Sequence, residues 1–504
     1  MLRLKKDALK DKILGAWVGK SYGAAMGEPI EFKYTGEIFE GNVDVQELHL
    51  REWLVNEDDL YMNMAMLQVV AEQGLDATPE DFATPYREGK YLVWHANGQA
   101  RQNLLEGIPA EHAGHPYYNP HADDIDFQIE CDYIGMISPG MPEVAQDLCR
   151  RQGRVVNHGD GIYGGMFFTA MYAASFFEDD PRKIVELGRK AVPADSACGR
   201  IIDDVLGWHV EYPTDWRATW GEIEKKWNHD LCPWGPTENE GKFNIQANFN
   251  GAYVALGLLY GNRDFLKTIE ITNRSGQDTD SNVANVGGII GTVLGYERFP
   301  KRVIEEISPY MDRVYNHTKY SILSATDVCF RLAIENVIQN GGKDAGEELQ
   351  IPNQPYAYVS ETEVSFPKFF VVDALKVSDS RISWNGSWEK DERAEEQLVS
   401  TTPGDSVTVE FRGNTLYVQG DLHHDKGILE AWIDGQLVQE RDMYHPPHWE
   451  RANQATAVWI TGLPDGEHKL ELKVTGRKNK NSTGIGTAIG RIVSYSGSID
   501  PPNI

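Results

Sequence analysis

From about Leu4 to about Gln339 the apolar residues recur every three and four positions, as in Phe167, Met171, Ala174 and Phe177 or Tyr253, Leu256, Leu259 and Tyr260. That is the period of packed amphipathic helices. Past residue 350 the period falls to two, in Ser406 to Phe411, in TLYVQ, in ILEAWIDGQLVQE and in HKLELKV, with Asp434-Gly435 and Pro464-Asp465-Gly466 supplying turn residues. One chain therefore carries two incompatible patterns. It is expected to fold as an all-α domain, residues 1–350, followed by an all-β sandwich, residues 351–504. The breakers between Gly341 and Ser365 predict a linker. No repeat of fixed period points to a solenoid.

Two glycine sets stand out in the helical half. Gly15, Gly19, Gly23 and Gly27 are spaced by four, as are Gly287, Gly291 and Gly295. A spacing of four lines residues along one helix face, so each set offers a strip without side chains. Each interior glycine costs about 0.5–1 kcal/mol relative to alanine, which calls for a compensating close contact with a helix or a ligand.

Charge narrows the partners. Lys and Arg total 48 against 76 Asp and Glu, a formal charge of -28. A polyphosphate backbone is repelled by such a surface, so nucleic acid is not an expected partner. The five cysteines, Cys131, Cys149, Cys198, Cys232 and Cys329, lie at wide, irregular spacings without a C-x-x-C pair, which indicates neither a zinc site nor a disulfide framework. No window is apolar for the roughly 18 residues of a membrane span, and the basic start lacks an apolar core of a leader. A soluble chain is expected, cytoplasmic or, with a leader removed, exported.

Two acidic segments carry the candidate chemistry. Glu57-Asp58-Asp59 precedes Met62, Met66, Val69 and Val70 at helical spacing, and Asp278-Thr279-Asp280-Ser281 precedes Val283, Val286, Ile290 and Val293. Each lies at a helix N-terminus, where the free N–H groups and the dipole favour acids for capping alone. Brought together, five carboxylates and a hydroxyl make a density that repels itself without cations. Hard, oxygen-seeking Mg2+ or Ca2+ suits that donor set, and two ions about 3.5–4 Å apart fit its supply.

In order and spacing, Gly15-x-x-x-Gly19, Gly27-Glu28-Pro29-Ile30-Glu31, Glu57-Asp58-Asp59-x-x-Met62, Asn157-His158, and Gly276-x-Asp278-Thr279-Asp280-Ser281 resemble the ADP-ribosylglycohydrolase family. The resemblance spans roughly residues 10–305, and the D-T-D-S helix is its most specific part. It implies a compact all-α fold that holds two divalent cations, usually Mg2+ with Ca2+ or Mn2+ as alternatives, and hydrolyses bonds at the anomeric carbon of a ribofuranose. By position it makes Glu57, Asp58, Asp59, Asp278, Asp280 and Ser281 metal ligands, and Glu31 the acid that follows the Gly-rich helix.

The chain departs from that pattern in places. Glu57 stands where the family has Thr or Ser, Lys20 replaces the aspartate of the usual G-D-A, and Gln128 to Gly135 occupies the place of an asparagine-glycine and arginine motif. For the chemistry, Glu31, Asp132 and Asp58 are the expected catalytic carboxylates. Glu28, Asn157, His158 and Asp160 are expected to line the sugar pocket. The C-terminal half resembles the jelly-roll modules of carbohydrate-active enzymes, with Trp384, Trp388, Trp432, Trp449 and Trp459 as aromatic candidates and most of them expected in the core. A small glycoside or oligosaccharide is the expected substrate, with ADP-ribosylated protein or nucleotide, and a non-catalytic binding protein, as the other readings. The oligomeric state is not legible.

Overall fold

The computed structural model describes residues 1–228, 243–392, 396–449 and 452–502. Cys232 lies outside them. Contacts divide the chain into two compact units, the first made of the described residues of Met1–Pro85, Asp123–His229 and Glu238–Val364, the second of those of Tyr86–Ala122 and Ser365–Ile504.

The first unit is built on an antiparallel helix pair. Helix Lys6–Gly27 carries the first glycine set and helix Thr279–Leu294 much of the second. A Cβ on Gly19 would lie 2.1 Å from the carbonyl oxygen of Gly287, and one on Gly27 would lie 2.3 Å from that of Thr279. The relation is mutual, since a Cβ on Gly291 would meet the carbonyl oxygen of Gly15 at 2.2 Å. Backbone therefore touches backbone along four turns, closer than any side chain permits. Helices Gly159–Ser175 and Ala247–Gly261 are buried around nearly their whole circumference, as their all-round apolar character requires. Asp180, Ser196, Asp215, Asp264 and Ser321 cap the helices that follow them by accepting backbone N–H bonds.

The helical reading needs one correction. Leu2–Lys5 pairs antiparallel with Glu348–Ile351, which also pairs with Lys343–Asp344, so a three-stranded sheet joins the start of the chain to the end of the helical region. The predicted linker is also partly structured. Gln354 accepts the free N–H groups of Glu143 and Val144 at the start of helix Pro142–Gly153, and Gln146 donates to the carbonyl oxygen of Ala357 at 3.0 Å. Polar residues that read as breakers are here hydrogen-bonding partners of a helix end.

The second unit is a sandwich. One sheet has the order Gln436–Asp442, Ile428–Ile433, Gly466–Val474, Ser406–Gly413, Ser383–Asn385. The other runs Ala452–Ile460, Thr415–Leu422, Thr487–Ser496, Leu398–Ser400, Glu389–Lys390, with Phe370–Leu375 also paired to Thr487–Ser496. Val407, Val409, Leu470 and Leu472 of the first sheet meet Leu416, Val418, Ile489 and Ile492 of the second in the core. The Asp434-Gly435 turn has positive φ at both residues, 52° and 81°, as a tight two-residue hairpin needs.

Strand Thr415–Leu422 does not alternate, because its outer face is covered too: Tyr417 packs with Trp459, Val493 and Tyr495, and Tyr117 and Phe369 lie against them. Residues 86–122 belong to this unit for that reason. The indole of Trp459 donates to the carbonyl oxygen of Pro116 at 2.9 Å, that of Trp449 to Gly89, and the buried Arg441 reaches Glu106 and Gln99. Trp384 and Trp388 pack on the core, while Trp432 is half-buried beneath Lys473. In the His423-His424-Asp425 segment, His423 pairs with Asp425 at 2.8 Å and His424 with Thr483 at 3.0 Å. Among the described residues no helix is long and apolar enough to cross a membrane.

Candidate metal and active site

Three chain segments converge at one end of the glycine-packed helix pair. The first follows helix Lys6–Gly27, where Pro29 starts a single tight turn and Glu31 leaves it. Phe32, at φ 52°, donates its N–H to the carbonyl oxygen of Gln277, and Gln277, at φ 64°, returns one to Tyr34, each at 3.0 Å. Between them Gly276 fits only as glycine: its φ is 82° and a Cβ would lie 2.0 Å from the carbonyl oxygen of Tyr34. The Glu31 loop is thus pinned to the residues that open the D-T-D-S helix.

The second segment is the acidic triplet. Glu57 is the N-cap of helix Asp58–Gln73, and its side chain accepts the N–H of Asp59 at 3.3 Å. It is 1% exposed and turned inward, with Oε2 left without a donor. It caps the helix and faces the cluster at once. No well-aligned donor reaches either oxygen of Asp59, although the Ser281 hydroxyl lies beside it. The third segment starts helix Thr279–Leu294, where the Thr279 hydroxyl donates to the carbonyl oxygen of Gly27 at 2.8 Å and Asp280 accepts the N–H of Ser281 at 2.9 Å.

Glu31, Asp278 and Asp280 can place one oxygen each within 4.8 Å of one another, and so can Glu57, Asp59 and Asp280. Asp280 belongs to both sets. Two unit charges at such a separation repel by about 3–4 kcal/mol at an effective dielectric of ~20. The carboxyls respond by holding protons. Burial, then Asp280, Asp58, Asp59 and Glu28, push Glu31 up to about 10. Burial and Asp280 raise Asp58 to about 6. Burial and the neighbouring carboxylates hold Glu57 and Asp278 well above the usual carboxylate range, and burial raises Asp280. Asp59 is likewise held well above that range by burial, against the opposing pull of the Lys20 ammonium. Oxygen donors crowded in this way, with unpartnered oxygens facing inward, fit hard divalent cations. The acidic clusters could bind such a metal.

Other predicted residues take structural places. Asp132 lies behind the cluster, fully buried, and both its oxygens are occupied by Lys20, Asn63, Tyr172 and Asn285. Asp132, expected among the catalytic carboxylates, thus has both oxygens engaged by protein donors. Asp160 accepts the N–H groups of Cys198 and Ala197 at 2.7 and 3.3 Å, a helix-start contact. Asn157 is buried between the N–H of Phe127 and the carbonyl oxygen of Asp124. His158 is the N-cap of helix Gly159–Ser175, with Nε2 3.9 Å from Glu363. Glu28 pairs with His49 at 2.8 Å beside Glu31.

Sequence reasoning missed Asn63 and Asn285, which stand four residues after Asp59 and Ser281 and thus one turn behind them. That spacing was the available signal. Cys131, Cys149, Cys198 and Cys329 are buried free thiols.

The family model described as ADP-ribosylglycohydrolase matches residues 5–333. No curated protein matches the chain. Among solved structures the chain is similar to an "ADP-ribosylglycohydrolase-related protein complex", at 15% identity and TM-score 0.44, over 65% of this chain and 98% of that one. It is also similar to a family two carbohydrate esterase from Cellvibrio japonicus, at 16% identity and TM-score 0.20, over 27% of this chain and 37% of that one. A carbohydrate-binding module in complex with calcium and xylotriose aligns at 12% identity and TM-score 0.18, over 25% of this chain and all of its own.

Proposed function

The chain belongs to the ADP-ribosylglycohydrolase family, and from that premise we propose that it hydrolyses the glycosidic bond of a ribosyl or other furanosyl glycoside with the help of divalent cations, Mg2+ foremost. The observation that carries this reading is the convergence of Glu31, Glu57, Asp58, Asp59, Asp278 and Asp280, more negative charge than a buried site keeps uncompensated. Glu57, Asp59 and Asp280 on one side and Glu31, Asp278 and Asp280 on the other are the donors that would hold the ions, with the Ser281 hydroxyl at hand. Bound cations supply positive charge that orients vicinal sugar hydroxyls and acidifies water.

The remaining work falls to the protein. Glu31 and Asp58 are the partly exposed members of the cluster, so an entering sugar meets them first. Without cations, burial and the neighbouring carboxylates keep a proton on Glu31, and ion binding displaces it; Asp58, raised only to about 6, is the group that exchanges a proton between water and the leaving oxygen. Asp132 takes no part in this transfer.

Glu57 bears on the substrate. A carboxylate here adds negative potential where a diphosphate must lie close, in a chain of net charge -28, which favours a neutral glycoside or oligosaccharide over ADP-ribose and over nucleic acid. Removal of ADP-ribose from a modified protein or nucleotide, and a binding protein without catalysis, are the outcomes that the test separates. Purified protein is assayed with Mg2+ on ADP-ribosylated protein, p-nitrophenyl furanosides and pyranosides, and oligosaccharides, beside Asp58→Ala, Asp278→Ala and Asp280→Ala. Turnover of a furanoside that chelator abolishes and each variant lowers by orders of magnitude supports the proposal; wild-type rates in all three variants reduce these carboxylates to helix caps.

A further inference from the structure

We infer that Asp132 is a positioning residue, a buried hub that holds the two acid-bearing helices at the separation the cation site needs, with Lys20 as its counter-ion. The inference rests on the reading that the carboxylate cluster binds divalent cations.

Asp132 opens the short helix Asp132–Met136 and is wholly buried. Four other helices send it donors. Lys20 of helix Lys6–Gly27 reaches Oδ2 at 2.9 Å, and Asn63 of helix Asp58–Gln73 reaches the same oxygen at 2.9 Å. Tyr172 of helix Gly159–Ser175 donates to Oδ1 at 2.6 Å, and Asn285 of helix Thr279–Leu294 bridges both oxygens at 3.1 and 3.2 Å. Asn63 is held further, since it donates to the carbonyl oxygen of Ile129 at 2.5 Å and accepts the N–H of Tyr133 at 3.1 Å.

What matters is where the two asparagines sit. Asn63 is one turn behind Asp59, and Asn285 is one turn behind Ser281, so each strap grips the helix directly beneath its ligand-bearing turn. Asp59 and Asp280 must present oxygens within 4.8 Å of each other from separate helices that start at different points of the chain. The glycine contacts bind helix Thr279–Leu294 to helix Lys6–Gly27, but they do not reach helix Asp58–Gln73. The Asn63–Asp132–Asn285 bridge makes that second connection. Both Asp132 oxygens are taken by donors in a dry site, where such bonds are the stronger kind and hold their partners in place.

The test is calorimetric titration of metal-free protein with Mn2+, for wild type, Asp132→Asn and Val205→Ala. Val205→Ala truncates a buried core residue on helix Ala197–Glu211 and serves as the control for destabilisation alone. Asp132→Asn is expected to lower Mn2+ affinity by about 10–100-fold, the usual effect of losing a partner behind a ligand, while Val205→Ala leaves it unchanged. If wild type binds Mn2+ and Asp132→Asn binds it equally well, or loses no more than Val205→Ala, the positioning role is overturned and the metal reading stands. If wild type binds neither Mn2+ nor Mg2+, the metal reading itself fails. Should Asp132→Asn not fold, Asn285→Ala, which cuts one strap and leaves the Lys20 pair, is judged by the same criterion.

Discussion

Gly19→Ala tests the link between helix packing and the site. The added carbon would lie 2.1 Å from the carbonyl oxygen and 2.7 Å from the carbonyl carbon of Gly287, roughly 1 Å inside the nearest tolerable approach. Both are backbone atoms, so no side chain can swing aside and the helices themselves must part. Overpacking of this kind costs about 1–3 kcal/mol, against which alanine returns about 0.5–1 kcal/mol of helix propensity. The net expectation is a loss on the order of 1–2 kcal/mol.

Gly207→Ala is the matched comparison. It lies within helix Ala197–Glu211, and its added carbon would meet nothing within 4 Å, so it keeps the propensity gain of about 0.5–1 kcal/mol undiminished. Urea unfolding of the metal-free protein, followed by far-ultraviolet circular dichroism, should therefore move the midpoint in opposite directions. Mn2+ titration should show a second effect in Gly19→Ala alone. Parting the helices shifts Thr279 from Gly27 and draws Glu31 away from Asp278 and Asp280, which weakens metal binding. If Gly19→Ala raises the midpoint as Gly207→Ala does and leaves Mn2+ affinity intact, the glycine strip is not what assembles the site.

Three further expectations follow from the geometry. Glu31 titrates near 10 folded against 4.5 for a free side chain, and Asp58 near 6 against 3.8, so the folded metal-free protein holds protons that the unfolded chain releases. Their contribution to stability therefore falls as pH rises from about 4 toward 10, and the increase in melting temperature on adding Mg2+ should be larger at pH 8 than at pH 5; a larger increase at pH 5 contradicts this. Glu57→Thr should weaken Mn2+ binding and raise the ratio of activity on an ADP-ribosyl substrate to that on a neutral furanoside, and a variant altered in neither removes the argument from charge to substrate. Asp160→Ala should cost about 0.5–2 kcal/mol in a urea melt, because it strips two N–H groups at a helix start, while turnover on a validated substrate holds; lost turnover with unchanged stability would return Asp160 to the sugar pocket.

Much was legible in the chain itself. The switch of period near residue 350 separated helices from strands because side chains repeat every 3.6 residues in one and every two in the other. The spacing of Gly15, Gly19, Gly23 and Gly27 announced a close contact, and the acids at 57–59 and 278–280 announced helix starts rich in carboxylate. These are local properties, and a local pattern survives in one dimension.

Partnership does not survive there. Nothing in the spacing of the first glycine set says that it faces Gly287 and Gly291, or that residues 86–122, interrupting the helical stretch, belong with a sandwich that begins some 240 residues later. The protein partners of Asp132, Asn157 and Asp160 were not legible either, because a polar side chain in a loop or at a helix start has the same sequence signature whether it meets a sugar, a side chain or a backbone N–H. Only packing chose between those partners. It enclosed Asp132 with a lysine, a tyrosine and two asparagines drawn from four other helices, while it left Glu31 and Asp58 at the accessible edge of the cluster. The physical reason is that burial and the field of neighbouring charges, which decide what a carboxylate can do, are properties of the folded surroundings and not of the residue.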